Sequence, residues 1–214
     1  GNLKFIENKL PKKNKLNKYL IKELKKRNIW VASSTHAGEE KFCSQTHIEL
    51  KKRIKNLTTI IIPRHIHRVD QIVSEIKNLN LKVDLHSSKK SRLNLTDIYI
   101  VDTFGDTQDF HKIASSVFLG GSMIKRGGQN PLEAARFGAK ILHGPNIDNF
   151  KDIYKKLKSL KISVRVTTPK KLASSIVFEK NKYMGDKIKN IGTKIFKKTI
   201  KELDSIINNE LKKT

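Results

Sequence analysis

The sequence predicts an α/β fold: a Rossmann-like parallel sheet with helices on both of its faces. Short apolar runs rich in β-branched residues alternate along the chain with segments whose apolar residues have helical spacing. No internal repeat and no low-complexity linker interrupts this alternation. A length of 214 residues and a hydrophobic content of 37% are enough for one large domain. We therefore expect a single domain over residues 1–214, with amphipathic carboxyl-terminal helices at about residues 186–213.

Seven runs are predicted to be strands, because each is short, apolar and enriched in residues that favour an extended backbone. The second of them, LTTIIIP, ends at a proline, which cannot donate a further ladder hydrogen bond. The predicted strands cover residues 29–33, 57–63, 81–87, 97–102, 116–121, 139–144 and 162–166.

Helices are predicted before the first strand and after most of the others, because apolar residues recur there three and four positions apart. The segment RVDQIVSEIKNL, for example, places its valines and isoleucines on one face. Gly138 is well placed to end one helix, and Pro169 suits the first turn of another. Strands separated by helices at this spacing indicate βα units and a parallel sheet. The predicted helices cover residues 17–28, 38–54, 68–79, 107–116, 131–138, 149–160 and 169–179.

The composition indicates a basic protein without internal disulfides. The net charge is +25, which favours an anionic partner: nucleic acid, acidic lipid or a phosphorylated substrate. The lysines are spread along the chain, so solvated helix faces explain the charge equally well. One tryptophan and four tyrosines offer few stacking platforms for single-stranded nucleic acid. The single cysteine, Cys43, is expected to be a buried structural thiol, and it fits a reducing compartment.

Glycine is concentrated at one predicted edge of the sheet. Ligands bind parallel sheets beyond the carboxyl ends of the strands, near a switch in strand order. Glycine lets a ligand approach the backbone closely and adopts positive φ at little cost. The distribution therefore predicts a ligand site at this edge. Seven of the 11 glycines follow predicted strands there: Gly38, Gly105, Gly120, Gly121, Gly127, Gly128 and Gly144.

The segment after the last glycine pair predicts the start of a phosphate-binding helix. Asn130 is expected to cap this helix and Pro131 to occupy its first position, where exposed amides favour an anion. Glu133 either completes a capping box with Asn130 or accepts hydrogen bonds from the vicinal hydroxyls of a sugar. Arg64 directly follows a strand, where a guanidinium either binds a phosphate or carboxylate or is an ordinary surface charge.

Several common sites are excluded by the spacing of their residues. The glycines are not followed by G-K-[ST], so the segment is not a P-loop. The G-x-G-x-x-G spacing of the dinucleotide fingerprint is also absent. His65 and His67 form an H-x-H pair, but no further ligand stands at a diagnostic spacing, so no metal site is predicted.

Five segments carry a resemblance to one enzyme family: STHAGEE (34–40), IIPRH (61–65), DTFGD (102–106), LGGSMIKRGGQNPLEAARFG (119–138) and HGPNIDNF (143–150). Taken together they resemble the 3-deoxy-D-manno-octulosonic acid (Kdo) transferases, which add Kdo to the lipid A precursor in lipopolysaccharide synthesis. The opening GNLKF also resembles the point where that family's chain enters its second domain, and the resemblance extends to about residue 179. The sequence departs from the family at Gln129, where His is common, and at Phe104–Asp106, which replaces a more usual Met-Gly-Glu.

The resemblance implies one half of a GT-B fold, the C-terminal domain that binds the donor CMP-Kdo. By resemblance, Phe104 and Gly105 would cradle the cytosine, Asn130 and the helix start would hold the phosphate, and Glu133 would hold the ribose. The implied CMP contacts are Pro63, Arg64, Phe104, Gly105, Asp106, Asn130, Pro131, Leu132 and Glu133.

A wider set of residues is expected to line the cleft. Its two cations, Lys125 and Arg126, would meet the Kdo carboxylate or the phosphates of the acceptor. The set comprises Thr35, His36, Gly38, Glu39, Gly121, Ser122, Lys125, Arg126 and Gly128.

By the same resemblance, no catalytic residue is expected in this chain, because the family's general base belongs to an N-terminal domain that these residues do not include. The expected partners are CMP-Kdo, the lipid A precursor, that N-terminal domain and an anionic membrane surface, at the cytoplasmic face of the bacterial inner membrane. No metal or other cofactor and no nucleic acid is expected. No run approaches the roughly 18 apolar residues that span a bilayer.

Two other classes of function remain as alternatives. A different GT-B glycosyltransferase or a UDP-sugar epimerase would share the glycine-rich segment, and competition between CMP and UDP distinguishes it. A basic nucleic-acid-binding module would have an affinity that falls steeply with salt. The nucleic-acid hypothesis does not explain why glycines follow the ends of the strands.

Overall fold

The computed structural model describes residues 16–88 and 93–211, and within them it contains one seven-stranded sheet whose strands are all parallel. The order across the sheet is β3-β4-β2-β1-β5-β6-β7. Each strand lies within or overlaps a predicted one, so the predicted Rossmann-like fold class is confirmed. The strands are β1 (Asn28–Thr35), β2 (Leu57–Pro63), β3 (Val83–Leu85), β4 (Ile98–Ile100), β5 (Ser116–Leu119), β6 (Lys140–His143) and β7 (Ser163–Arg165).

Helices connect the strands and flank the sheet. Short 3-10 turns at Ile66–Arg68, Leu93–Leu95 and Asp148–Phe150 complete the connections. Pro169 is the first residue of its helix, as predicted, and the Thr168 hydroxyl caps that helix by accepting from the Lys171 amide. The helices are α1 (Lys18–Lys25), α2 (Glu39–Lys51), α3 (Val69–Lys77), α4 (Thr107–Ile113), α5 (Leu132–Arg136), α6 (Lys151–Ser159), α7 (Pro169–Ser175) and α8 (Lys182–Leu211).

The carboxyl-terminal region differs from its prediction in extent. It forms one continuous helix, α8, of 30 residues that begins at Lys182, four residues before the expected start. None of the helices that the structure describes is both long enough and apolar enough to cross a bilayer. The opening segment GNLKF and residues 212–213 lie outside the described residues.

Two apolar layers cover the two faces of the sheet. Successive residues of β1 alternate between them: Trp30 and Ala32 pack into the layer beneath α2, α3 and α7, whereas Ile29 and Val31 pack into the layer on the other face. This alternation is the two-residue period of an extended strand. Cys43 of α2 lies in the first layer and is fully buried, and burial raises the pKa of its thiol well above the usual value. The predicted structural role of this cysteine is consistent with its position.

The strand order reverses at β1: strands β2 to β4 lie on one side of it and strands β5 to β7 on the other. The chain moves from β1 through β2 to β3 and β4 on one side, and then returns to place β5 on the other side of β1. The carboxyl ends of β1 and β5 therefore flank the switch in strand order, which is where open parallel sheets bind ligands.

A buried histidine makes the stability of the fold sensitive to acid. His111, in the last turn of α4, is 3% exposed, and neither ring nitrogen has a hydrogen-bond partner among the described residues. Burial, with the charge of Lys180 as a smaller cause, lowers the pKa of His111 to about 4. In the unfolded chain the imidazole of His111 is protonated near the ordinary pKa of about 6.5. The contribution of neutral His111 to the free energy of unfolding is therefore complete above that pH and is lost as the pH falls towards 4.

We expect the wild-type protein to lose about 2 kcal/mol of unfolding free energy through His111 alone between pH 7 and pH 5. The variant His111→Leu, which cannot be protonated, should lose correspondingly less over that range. Urea unfolding of both proteins at pH 7, 6 and 5 measures the difference. Parallel declines in the two proteins would show that His111 does not control the acid sensitivity.

Candidate functional site

Four loops that contain the predicted site residues lie side by side at the carboxyl edge of the sheet. They follow β4, β2, β1 and β5, which are adjacent strands in that order. The loop after β5, residues 120–129, is called the glycine loop below. The structure thus brings the predicted residues to one edge, as the sequence indicated.

A buried carboxylate fixes the glycine loop. Glu39, the first residue of α2, is 1% exposed, and its side chain accepts hydrogen bonds from four backbone amides. Its Oε2 accepts from His36 N at 3.0 Å and from Gly121 N at 2.7 Å. Its Oε1 accepts from Ser122 N at 3.1 Å and from Met123 N at 2.9 Å. Because charged acceptors form the stronger hydrogen bonds, Glu39 holds the loops after β1 and β5 in one fixed arrangement.

The first two glycines of this loop are required by its geometry. A Cβ atom at Gly120 would lie 2.2 Å from the carbonyl oxygen of Ser34, so the ends of β1 and β5 can approach only if residue 120 has no side chain. Gly121 has a φ of +65°, a left-handed backbone conformation that residues with a side chain rarely adopt. The concentration of glycines predicted from the sequence therefore has a structural cause at the switch point itself.

The loop after β6 supports the glycine loop from the other side. The Ser122 carbonyl accepts hydrogen bonds from the backbone amide and the side chain of Asn146, at 2.9 and 3.2 Å. Asn149 donates from its backbone to Gly127 O and from its side chain to Arg126 O. Sequence reasoning assigned no role to Asn146 or Asn149, although both belong to the quoted motif HGPNIDNF.

The helix after the glycine loop is shorter than predicted. The structure corrects its range from 131–138 to Leu132–Arg136, with Pro131 in the capping position rather than the first helical position. Asn130 still satisfies a backbone donor, since its Oδ1 accepts from the Leu132 amide at 3.0 Å. Asn130 is exposed and Glu133 is half-buried, so both lie near the surface where the glycine loop ends.

The edge carries a cluster of cations and imidazoles. Arg64 is exposed and its backbone amide donates to Thr35 O at 2.9 Å, which ties the loop after β2 to the end of β1. Its guanidinium has no carboxylate within ion-pair distance among the described residues. The rings of His36 and His65 lie 5.5 Å apart, and those of His65 and His67 lie 5.6 Å apart.

This cluster places three exposed cationic side chains at the edge, those of Arg64, Lys125 and Arg126. Burial is the largest cause that lowers the pKa of His36, and the charges of His65, Arg126 and Arg64 lower it further. Arg126 and Lys125 are exposed on the glycine loop. An anion bound here would relieve the repulsion between these groups, which agrees with the prediction of a phosphate or carboxylate ligand.

The loop after β4 presents an unusual side chain to solvent. Phe104 is 81% exposed, and the neighbouring Gly105 is also exposed. Asp106, in contrast, is 7% exposed, and its carboxylate accepts from the Thr103 hydroxyl and lies 3.8 Å from His86 Nε2. The structure therefore gives Asp106 a local structural role, whereas Phe104 and the Gly105 backbone are accessible to a ligand.

The predicted lining of the cleft needs a correction. Thr35, Glu39 and Ser122 are each at most 1% exposed, so they lie beneath the surface and do not line an open cleft. The Ser122 hydroxyl donates to Leu119 O and accepts from Gly144 N, which explains its burial. Gly38 is exposed before α2, and the Gly128 amide closes the glycine loop by donating to Gly121 O. Pro63 is buried at the end of β2.

Within residues 16–88 and 93–211, no group of three or more His, Cys, Asp and Glu side chains has an arrangement that could hold a metal ion.

Curated relatives match most of the chain. A 3-deoxy-D-manno-octulosonic acid transferase of Rickettsia felis is 33% identical over 178 residues, which are 83% of this chain and 38% of that protein. The chain is a relative of the Kdo transferases. The transferase of Haemophilus influenzae is 30% identical over 131 residues, 61% of this chain and 31% of that protein. The resemblance carried by the sequence motifs is thus confirmed, and the chain spans well under half the length of these Kdo transferases.

Solved structures agree with the fold. The chain is similar to the structure described as the C-terminal CMP-Kdo binding domain of WaaA from Acinetobacter baumannii, with a TM-score of 0.65 and 24% identity over 74% of this chain and 87% of that one. A trehalose-6-phosphate synthase is similar with a TM-score of 0.53 and 12% identity, over 82% of this chain and 42% of that one. This relative of the Kdo transferases therefore has the fold of one half of a GT-B glycosyltransferase. No protein-family model matches the chain.

Proposed function

We propose that this chain is the donor-binding domain of a Kdo transferase and that it binds CMP-Kdo at the carboxyl edge of its sheet. The observation that carries the proposal is the glycine loop, which the buried Glu39 carboxylate fixes at the switch point beside exposed cations. The relatives are curated as transferases of this sugar acid, and the similar Acinetobacter domain is described as binding CMP-Kdo.

The exposed groups at this edge suit the three parts of CMP. Phe104 offers an apolar face to the cytosine, with the Gly105 backbone beside it. Glu133 accepts hydrogen bonds from the ribose hydroxyls, since one carboxylate can accept two. The phosphate lies near Arg64 and Asn130; because Asn130 Oδ1 already accepts from Leu132, its Nδ2 group is the one that donates to a phosphate oxygen.

In the reaction that this function implies, CMP is the leaving group and negative charge grows on its phosphate. Arg64, with Arg126 and Lys125 on the glycine loop, stabilises this charge without a divalent cation. A donor that is fixed before the reaction and aimed at a developing anion typically contributes about 3 kcal/mol. The Kdo carboxylate meets the cations of the glycine loop, and a base outside these residues removes the proton from the acceptor hydroxyl.

The further partners in this proposal are the lipid A precursor as acceptor, an N-terminal domain that supplies the base, and an anionic membrane at the cytoplasmic face of the inner membrane. The net charge of +25 supports the membrane as a partner, because each lysine near an anionic leaflet adds about 1 kcal/mol of attraction.

Calorimetric titration of the chain with CMP tests the donor site directly. We expect saturable binding that EDTA does not change and that UMP or UDP competes for poorly. If no heat of binding is measured at millimolar CMP, the proposal is wrong. If UDP binds more tightly than CMP, the chain belongs to a transferase or epimerase that uses UDP-sugars.

The variant Glu133→Ala tests whether the Glu133 carboxylate binds the ribose hydroxyls or only caps the helix. We expect it to weaken CMP binding by about tenfold, equivalent to about 1.4 kcal/mol, while it leaves the affinity for inorganic phosphate almost unchanged. Both affinities can be measured by calorimetry, with Glu179→Ala, an exposed carboxylate at the other edge of the sheet, as the control. Equal weakening of both ligands would assign Glu133 to the helix cap instead.

A further inference from the structure

A cavity lies at the amino edge of the sheet, where the strands begin, opposite the loops of the proposed donor site. Its volume is about 490 Å³, and its walls come from the start of β6, the residues before β7 and the segment that joins α7 to α8. Small-molecule sites commonly have volumes of about 300–1,000 Å³. The cavity is therefore large enough for a small ligand of its own.

Lysines dominate the charged lining of this cavity, which is called the lysine cavity below. Lys140, Lys161, Lys180 and Lys182 line it, and Glu179 is the acidic residue beside them. Four positive charges and one negative charge leave a surplus of +3. Among the described residues, none of these five side chains belongs to an ion pair, so no carboxylate neutralises the surplus.

Lys180 is the fixed part of the lysine cavity. Its ammonium group donates to the backbone carbonyl oxygens of His111, Lys112 and Phe137, at the ends of α4 and α5. Burial, with the charge of Lys182 as a smaller cause, lowers the pKa of Lys180 to about 8. Carbonyl oxygens bear only partial charges, so a bound anion would still relieve the repulsion between these two lysines.

The other lysines have no such structural role. Among the described residues, the side chains of Lys140, Lys161 and Lys182 donate no hydrogen bond. Lys140 is half-buried, and burial, with the charge of Lys171 as a smaller cause, lowers its pKa. Lys161 has a φ of +58°, a left-handed conformation for which glycine is the usual residue directly after a helix. Both features reduce stability, so folding alone does not explain a lysine at either position.

The floor of the lysine cavity is apolar. Ala139 and Ile162 lie beneath it and are buried. Val177 is 37% exposed and Met184 is half-buried, so both side chains are accessible from the cavity. An apolar surface bordered by lysines suits a molecule that has both an apolar group and an anionic group.

We propose that the lysine cavity binds a small organic phosphate. The phosphate lies among Lys140, Lys161 and Lys182. The apolar group of the ligand covers Val177 and Met184. A phosphate monoester carries a charge of about −1.5 to −2 near pH 7, and it therefore offsets the surplus better than the single charge of a carboxylate does. The lining contains lysine rather than arginine, and an ammonium group binds phosphate as a point charge without a planar partner.

Protection of lysines from acylation tests this site in the wild-type protein. Phenyl phosphate, which has one phosphate and one apolar ring, is the probe, and mass spectrometry after brief acetylation gives the labelling rate of each lysine. We expect phenyl phosphate at a few times its dissociation constant to slow the labelling of Lys140 and Lys182 by about threefold or more. Lys155 and Lys156, exposed on α6 and outside the cavity, should be unaffected. No protection at millimolar probe, or equal protection of all four lysines, would overturn the proposal.

Variants matched in charge separate the site from the net charge of the protein. Lys140→Gln, Lys182→Gln and the control Lys155→Gln, Lys156→Gln remove the same charge, but only the first pair lines the cavity. In calorimetry with saturating CMP in all solutions, we expect the first variant to bind phenyl phosphate at least about tenfold more weakly and the control to stay within about twofold of the wild type. Equal losses would mean that net charge alone attracts the phosphate. Since the probe is not the donor, this result is independent of the CMP titration.

Lys161→Gly distinguishes a ligand contact from a structural role. Glycine adopts the left-handed conformation without strain, so the variant should unfold at a urea concentration no lower than the wild type does. Its affinity for phenyl phosphate should nevertheless fall by about threefold or more, because one ammonium group is lost. An unchanged affinity would contradict the position proposed for the phosphate.

Val177→Ser tests the apolar contact. The Ser116 hydroxyl donates to Val177 O and accepts from Val177 N, both at 2.8 Å, so the backbone should stay in place. We expect this variant to bind phenyl phosphate about threefold more weakly and inorganic phosphate as the wild type does. If the wild type binds the two phosphates equally tightly, the apolar floor contributes nothing and an organic phosphate is the wrong class of ligand.

Discussion

Replacing Glu39 with glutamine is expected to weaken CMP binding by on the order of tenfold or more and to lower the free energy of unfolding by about 3 kcal/mol. The Glu39 carboxylate accepts four backbone amides from the loops after β1 and β5. A glutamine keeps one acceptor oxygen and turns an amino group towards the other two amides. Those two donors then lose their partner in a buried site, and the glycine loop loses its fixed arrangement.

The neighbouring residue supplies a matched control for this prediction. Glu40 is also fully buried, but its carboxylate pairs with Arg68 Nη1 at 3.1 Å, and within the described part of the chain it accepts no hydrogen bond from the glycine loop. Glu40→Gln should destabilise the protein by a similar amount, because it breaks a buried ion pair. Its affinity for CMP should nevertheless stay close to that of the wild type, since the glycine loop is untouched.

Urea unfolding and CMP calorimetry on the two variants separate stability from binding. The expected result is two proteins of similar reduced stability, of which only Glu39→Gln has lost its affinity. Equal affinities in the two variants would mean that the arrangement of the glycine loop does not matter for the ligand. In that case the donor site would have to lie elsewhere on the carboxyl edge.

The sheet could be predicted from the sequence because its information is local. A parallel strand that is buried on both faces appears as a short continuous apolar run, and the seven runs such as LTTIIIP stand out between segments of helical period. The position of the glycines after the strands then located the carboxyl edge. The lengths of α5 and α8 were less well predicted, since helix ends depend on caps and on packing as well as on period.

The inner construction of the site could not be predicted in this way. Glu39 lies 82 residues before Gly121, and no local pattern shows that its carboxylate accepts from that amide. The burial of Thr35 and Ser122 likewise follows from the close approach of Ser34 to Gly120, which exists only once β1 and β5 are adjacent. Motif resemblance placed these residues near the ligand, whereas in the structure they lie beneath the surface, where the side chains of Glu39 and Ser122 form hydrogen bonds with backbone groups.

Asp106 illustrates the same limit at the level of one side chain. The motif DTFGD suggested that this carboxylate replaces a ligand-binding acid of the related family. In the structure the Asp106 carboxylate accepts from the Thr103 hydroxyl and lies beside Nε2 of His86. The other ring nitrogen of His86 is hydrogen-bonded to the Tyr99 hydroxyl. The residue two positions earlier, Phe104, is the group that the fold leaves accessible.

Phe104→Ala is expected to weaken CMP binding by roughly 5- to 150-fold, because stacking of one base on an aromatic ring contributes about 1–3 kcal/mol. The side chain is 81% exposed in the free protein, so its loss should change the free energy of unfolding by less than about 0.5 kcal/mol. Tyr183→Ala, which removes another exposed aromatic ring at the start of α8, is the control and should leave the affinity unchanged.

Ribose 5-phosphate, which has no base, allows a thermodynamic cycle in which both the Phe104 side chain and the cytosine are removed. If Phe104 stacks on the cytosine, Phe104→Ala should weaken CMP and leave the affinity for ribose 5-phosphate as it is in the wild type, and the difference between the two ligands measures the contact. Calorimetry with both ligands gives the four affinities. A loss of affinity that is equal for the two ligands would show that Phe104 shapes its loop without touching the base. The orientation proposed for CMP, with the cytosine towards β4, would then be wrong.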